Sequence, residues 1–327
     1  MEMCTVLKRM IGLSQIEVSA LGMGCWAIGG TFWRKGVPTG WGEVDDAESL
    51  CAIRRARDLG INFFDTADIY GAGHSETLLG QALAGERDQV VIATKFGHVF
   101  DEETRQAYGR DYSPEYIRKA CEASLRRLAT DYIDIYQLHP KDVEFETALQ
   151  VCVTLEELVQ EGKIRFFGWS TDDPIRASMW KQSPHYTSVQ HNLNLFEDNP
   201  AMLAVCDDMN LASINRGPLA RGLLTGKYHR ESKIPAIDVR RTWDLKNGLQ
   251  AQSLRQLEAL KPVLTEDGRS MGQAALGWLW AHNEHTIPIP GFKTVAQVDE
   301  NVGAIAYGKL SAQQMIAIET ILDRPAG

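Results

Sequence analysis

The chain of 327 residues is 44% hydrophobic and long enough for two domains, although α/β barrels of this size fold as one. Its 43 acidic against 34 basic residues give a net charge of −9, with no basic run much beyond a pair, which speaks against a nucleic acid partner. No apolar stretch approaches the ~20 residues of a membrane span, the polar N-terminus does not read as a signal peptide, and the six scattered cysteines show no C-x-x-C and no histidine at metal-ligand spacing. The expectation is a soluble cytoplasmic protein with reduced thiols, no metal and no membrane contact.

In chain order, short apolar runs at 21–26, 61–65, 90–95, 133–139, 164–170, 188–193, 212–216 and 286–291 read as eight strands. Most are apolar on consecutive positions, as expected where both faces of a parallel sheet are covered. Helices lie between them. Asp45 or Asp46 caps one that carries Leu50, Ile53 and Leu59 and stops at Gly60. Ser75 precedes Glu76 and the Leu78, Leu79, Leu83 stripe; Ser113-Pro114 is an N-cap followed by a first-turn proline. Further helices are expected over 147–161, 294–306 and 311–322. Eight strand–helix repeats without a composition break predict a single (β/α)8 TIM barrel over 1–327 rather than an open doubly wound sheet. Residues 1–15 are expected to form a small cap, a hairpin, over the barrel bottom. The polar stretch 226–249, which carries Pro235, reads as a loop excursion.

Active sites of such barrels lie at the C-terminal ends of the strands. Three successive runs stop there on ionisable residues: Asp65, Lys95 and His139, with Tyr70 in the loop after Asp65. Charges at strand ends are costly unless paired or used. The four suit carbonyl reduction. Tyr70, with a reference pKa of ~10, would donate a proton to the alkoxide left by hydride addition. Lys95 would stabilise the phenolate, a cation ~4 Å away being worth up to about 4 kcal/mol at an effective dielectric near 20. Asp65 would hold Lys95, and His139 would orient the substrate oxygen. Asp68 alone reads as a turn or helix cap.

The remaining motifs suit a nicotinamide cofactor. Ser170, Thr171 and Gln190 offer hydroxyl and amide groups to a carboxamide. Arg216, Gly217, Pro218, Leu219, Ala220, Arg221 and Gly222, followed by Lys227, form a segment of small residues whose amides can approach a pyrophosphate. Gly291, Phe292 and Lys293 run into a helix start, a natural anion site, with Gln297, Glu300 and Asn301 one and two turns on. Lys293 is assigned to a ribose 2′-phosphate, with Arg240 or Arg241 as the next candidates. No G-x-G-x-x-G fingerprint fits.

The segments Phe63-Phe-Asp65-Thr-Ala-Asp-Ile-Tyr70-Gly71, Ala93-Thr-Lys95, Leu138-His139, Pro218 to Lys227 and Ile289-Pro-Gly291 with Gln297 and Asn301 together resemble the aldo-keto reductases, over essentially the whole chain. The branch it is most similar to is the bacterial general stress-type and sugar-reducing one. The resemblance implies a barrel that binds NADPH extended, without a Rossmann domain, and reduces an aldehyde or ketone. Asp65, Tyr70, Lys95 and His139 then correspond to the catalytic tetrad. Two positions depart from the pattern: a frequent Ser-Asn is Ser170-Thr171 here, and an aromatic that often stacks on the nicotinamide is Arg216, which would favour the reduced cofactor. The superfamily also contains non-catalytic potassium-channel β-subunits, which sense the cofactor. Those lack the histidine that stands here as His139.

Substrate contacts are expected from the loops 29–41 and 98–112, with Trp26, Trp33 and Trp41 as apolar walls; Trp26 also lies near the cofactor. No basic cluster dedicated to a substrate phosphate is evident. The partner is a small carbonyl compound, the cofactor NADPH with some NADH use, and the chain a monomer or small homo-oligomer.

Overall fold

The computed structural model describes residues 7–324. The first six residues of the expected cap, Cys4 among them, lie outside the described residues. Eight strands form one parallel sheet: β1 (Met23–Gly24), β2 (Phe63–Asp65), β3 (Val91–Phe96), β4 (Ile133–Leu138), β5 (Ile164–Ser170), β6 (Tyr186–Asn192), β7 (Ala212–Arg216) and β8 (Thr286–Pro288). Each pairs with the next in sequence. The sheet closes on itself, since Gly22 and Gly24 donate to the carbonyls of Pro288 and Pro290, each at 3.0 Å. Closure needs glycine at Gly24, where a Cβ would stand 2.6 Å from the Ile289 oxygen. The expected (β/α)8 barrel is present.

Ten helices surround the sheet among the described residues: α1 (Asp46–Asp58), α2 (His74–Ala82), α3 (Pro114–Leu128), α4 (Phe145–Gln160), α5 (Pro174–Ala177), α6 (Pro200–Met209), α7 (Leu249–Leu264), α8 (Met271–His282), α9 (Val295–Tyr307) and α10 (Ala312–Ile321). Asp45, Ser113, Thr294 and Ser311 cap α1, α3, α9 and α10 through their side chains. Ser75 does not cap: α2 starts at His74 after Gly73, and the Ser75 hydroxyl donates to the Cys25 carbonyl at 2.8 Å.

Phe63, Val91, Ala93, Ile135, Ile214 and Ile287 fill the barrel interior, and Ile11, Ile16 and Val18 join them from below. These belong to the hairpin of Lys8–Met10 with Glu17–Ser19 and its connection, a cap at the barrel bottom that runs past the expected residues 1–15. The larger apolar cluster lies between strands and helices.

Over the C-terminal mouth sits a four-stranded sheet, Val37–Thr39, Phe32–Arg34, Gln106–Arg110 and His98–Asp101. Its polar, partly exposed strands carry little hydrophobic signal. Residues 226–248 cross the mouth towards it, with Val239 donating to the Gly40 carbonyl at 2.8 Å. Among the described residues no helix is long and apolar enough to cross a membrane.

Candidate active site

Asp65 ends β2, Lys95 is the penultimate residue of β3 and His139 follows β4, so adjacent parallel strands bring the three together. Lys95 is fully buried. Its Nζ donates to Asp65 Oδ1 at 2.6 Å, to the Thr66 carbonyl at 2.6 Å and to Tyr70 Oη at 3.3 Å. Burial opposes the ammonium charge, but Asp65 and Tyr70 outweigh it and Lys95 titrates above its ordinary value. Burial pushes the Tyr70 phenol up and Lys95 pulls it back only in part, leaving it raised and protonated at neutral pH. His139 is held well below the ordinary histidine range by burial, then by the neighbouring His98, Lys95, Arg216 and Arg34. Its ring is therefore neutral, and its Nδ1 is buried without a hydrogen-bond partner.

The Tyr70 turn is anchored from several sides. Thr66 donates to Ser75 at 2.9 Å and Ser75 to Cys25. Gly71, at φ +63, lies so close to Gly29 that a Cβ would fall 1.8 Å from its carbonyl oxygen. Trp26 stacks on Tyr70 at 5.8 Å, Trp41 meets Trp26 edge-on at 5.2 Å, and His139 meets Tyr70 edge-on at 5.7 Å. Trp33 stands elsewhere. It alternates with Phe32 and Arg34 along its strand and lines an outer cleft with Thr31, Arg105 and His74.

Gln137 is the residue sequence reasoning missed. It is fully buried on β4, and its amide donates to Asp65 Oδ2 at 3.0 Å. A glutamine inside the apolar run 133–139 was the available signal. Gln190, expected at a carboxamide, donates to the same Oδ2 at 2.7 Å. Thr171 is also engaged locally, donating to the Lys141 carbonyl at 3.1 Å and accepting from the Asp173 N–H at 3.2 Å. Ser170 is buried at the end of β5. Asp68 is neither cap nor turn ligand: both carboxylate oxygens are buried without partners, and burial with Glu76 nearby raises it well above the carboxylate range.

Beyond Trp41 the polar groups change character. After β7, Gly217, Ala220, Arg221 and Gly222 all have positive φ. Pro218 and Leu219 complete this turn, and Lys227 folds back over it, 3.2 Å from the Cβ position of Gly222. Arg240 clasps Asp238 through two bonds of 2.8 and 2.6 Å, donates to the Arg221 carbonyl at 3.1 Å and covers the Trp41 ring at 4.7 Å. Lys293 Nζ donates to the carbonyls of Trp41 at 2.5 Å and Glu43 at 2.8 Å. Burial lowers both lysines, Arg240 adds to it, and Asp238 is the acid common to all three cations. The Lys293 N–H is taken by Gln297 at 2.7 Å, Asn301 donates to the Gly291 carbonyl at 3.4 Å, and Glu300 accepts from Ser270. Gly291 bridges to Gly24, and Phe292 is buried. Arg216 is paired with Asp172.

These residues fit a phosphate-bearing dinucleotide. The three cations Lys227, Arg240 and Lys293 facing Asp238 and Glu43, a backbone turn of left-handed residues, and the partnerless buried indole N–H groups of Trp26 and Trp41 all suit an oxygen-rich ligand. Among the described residues no cluster of His, Cys, Asp and Glu is arranged to hold a metal.

The sequence profile of the Aldo/keto reductase family matches residues 20–323. The aldo-keto reductase YhdN of Bacillus subtilis is 34% identical over 94% of this chain and 91% of its own length. The aldo-keto reductase yakc [NADP(+)] of Schizosaccharomyces pombe is 30% identical over 88% and 84%. Among solved structures, the glycerol dehydrogenase AKR11B4 from Gluconobacter oxydans superposes with a TM-score of 0.82 at 30% identity, covering 100% of this chain and 98% of that one.

Proposed function

The chain belongs to the aldo/keto reductase family, and we propose that it uses NADPH to reduce an aldehyde or ketone to the alcohol, with Tyr70 as the proton donor. The observation that carries this reading is the Tyr70 hydroxyl 3.3 Å from a buried Lys95 that Asp65 holds at 2.6 Å.

NADPH, when bound, supplies the hydride. Lys227, Arg240 and Lys293 would hold its phosphates, and the turn 217–222 would let backbone amides approach them. Tyr70 delivers its proton from Oη to the carbonyl oxygen as negative charge develops there. Lys95 stabilises the phenolate that remains, and Asp65 keeps the ammonium in place. His139, neutral by its surroundings, can donate a hydrogen bond to the same oxygen while carrying no charge to compete for the proton. Trp26 and Trp41 wall the reacting centre. The presence of His139 supports a catalytic reading over that of a cofactor-sensing subunit. The name of the fission yeast relative supports NADP(H) as the cofactor, and a lysine at the 2′-phosphate leaves room for some NADH use. The direct test is NADPH consumption by the purified chain with a panel of aldehydes and ketones. Consumption that depends on both protein and carbonyl compound is expected; its absence across the panel contradicts the assignment.

A further inference from the structure

Four cations near His139, at strand ends and in one loop, take no part in the proposed proton transfer. Arg110 donates to Asp142 at 2.6 Å, while Arg216 and Lys141 share Asp172, the lysine at 3.6 Å. Arg34 has no acidic partner among the described residues. It ends the strand Phe32–Arg34 and is exposed at the rim. Phe32, two residues earlier and so on the same face, packs with Ala67, Ile69 and Ala107 beside Tyr70. Arg34 lies in register with Ala107, so its side chain leaves the sheet on the Tyr70 side, opposite to Trp33.

The cations of the cofactor cleft lie away from Arg34 and Arg110. A row of rings runs from Trp41 through Trp26, Tyr70 and His139 to His98, the last pair 5.0 Å apart. Lys293 and Arg240 lie at its Trp41 end, and Arg34 and Arg110 act on His98 at the other. Burial and the His98 ring act on His139 first, and Lys95, Arg216 and Arg34 act in the same direction. Burial, then Arg34 and Arg110, hold His98 at about 4, opposed by the Gly109 backbone hydrogen bond and by Asp142. Arg110 is offset by Asp142, and Arg216 and Lys141 by Asp172, so Arg34 is left as the cation without an acidic partner at the rim of this opening. An anionic group next to the reacting carbonyl would meet Arg34.

We propose that the substrate of this site is a carbonyl compound bearing an anionic group, a carboxylate or a phosphate, and that Arg34 is the residue that selects it. The proposal rests on the reductase reading. It is tested by comparing kcat/KM for two matched pairs with NADPH: butanal with succinic semialdehyde, and glyceraldehyde with glyceraldehyde phosphate. In the parent the anionic member of at least one pair is favoured by about ten-fold or more, the scale of one charged hydrogen bond, and the advantage shrinks as salt is added. An advantage confined to one pair identifies the anion as carboxylate or phosphate. Arg34→Ala cuts the ratio about ten-fold and Arg34→Glu inverts it. Turnover of all four compounds at similar efficiency, or a ratio that neither substitution moves, overturns the proposal and leaves the reductase reading standing. No NADPH consumption with any of the four overturns both.

Discussion

Gln137 donates to the oxygen of Asp65 that Lys95 leaves free: its amide lies 3.0 Å from Oδ2, while Lys95 occupies Oδ1 at 2.6 Å. With Gln190 on the same Oδ2, the carboxylate is fixed from both ends, and the direction in which it presents its charge to Lys95 is set by two amides on β4 and β6. Gln137→Leu should therefore cost about 1–3 kcal/mol of stability, the range for a buried partner lost from a charged group, and lower kcat with little change in KM. Gln137→Glu, which places a second carboxylate against Asp65, should be worse on both counts. Denaturant titration with steady-state kinetics decides it; a Gln137→Glu variant as stable as the parent would contradict the placement.

Lys95→Met leaves Asp65 buried without its cation and should cost about 3–5 kcal/mol. Adding Asp65→Asn should recover much of that stability without recovering turnover. If the double variant regains carbonyl reduction as well, Lys95 serves the fold and not the chemistry.

Lys293→Ala should reduce the preference for NADPH over NADH by roughly 10–150-fold, the worth of a charged hydrogen bond to the 2′-phosphate. Because Lys293 also ties down the carbonyls of Trp41 and Glu43, some loss of affinity for both cofactors is expected. Dissociation constants measured by fluorescence separate the two effects. Equal loss for NADPH and NADH would make Lys293 a loop tether and move the phosphate to Arg240 or Lys227.

Stability should fall as the medium is acidified. His98 and His191 are held at about 4, chiefly by burial, and His139 well below its ordinary value. In the unfolded chain all three titrate near ~6.5. Between that pH and about 4 the unfolded state binds protons that the folded state refuses, so stability rises with pH across the window and is lost on descending it. The slope is up to about 1.4 kcal/mol per pH unit for each group. Urea unfolding at pH 7 and at pH 5.5, above the range where carboxylates dominate, measures it; identical midpoints would contradict neutral burial.

Much of this architecture is legible in the chain. Runs such as 133–139 are apolar on consecutive positions because both faces of the barrel strands are covered, and the ionisable residues that end them stand out for that reason. β1 is harder: Gly22 and Gly24 permit close approach to β8, so only two residues pair where six were expected. Trp33 is harder to place from sequence, because a short, half-exposed strand gives no sign of which face looks at the mouth. Gln190 and Thr171 carry suitable groups, yet their nearest partners are Asp65 and the Lys141 carbonyl, which only tertiary contacts reveal. The cations around His139 are invisible as a cluster because they lie far apart in the sequence, at 34, 110, 141 and 216.

The central claim is that Tyr70 gives the proton. Single-turnover NADPH oxidation with a generic aldehyde, compared between the parent and Tyr70→Phe, tests it most directly, since the substitution keeps the ring stacked on Trp26 and removes only the hydroxyl. The account predicts a fall of about 10²–10⁴-fold in the rate of oxidation with NADPH affinity nearly unchanged; a rate within a few-fold of the parent would contradict it.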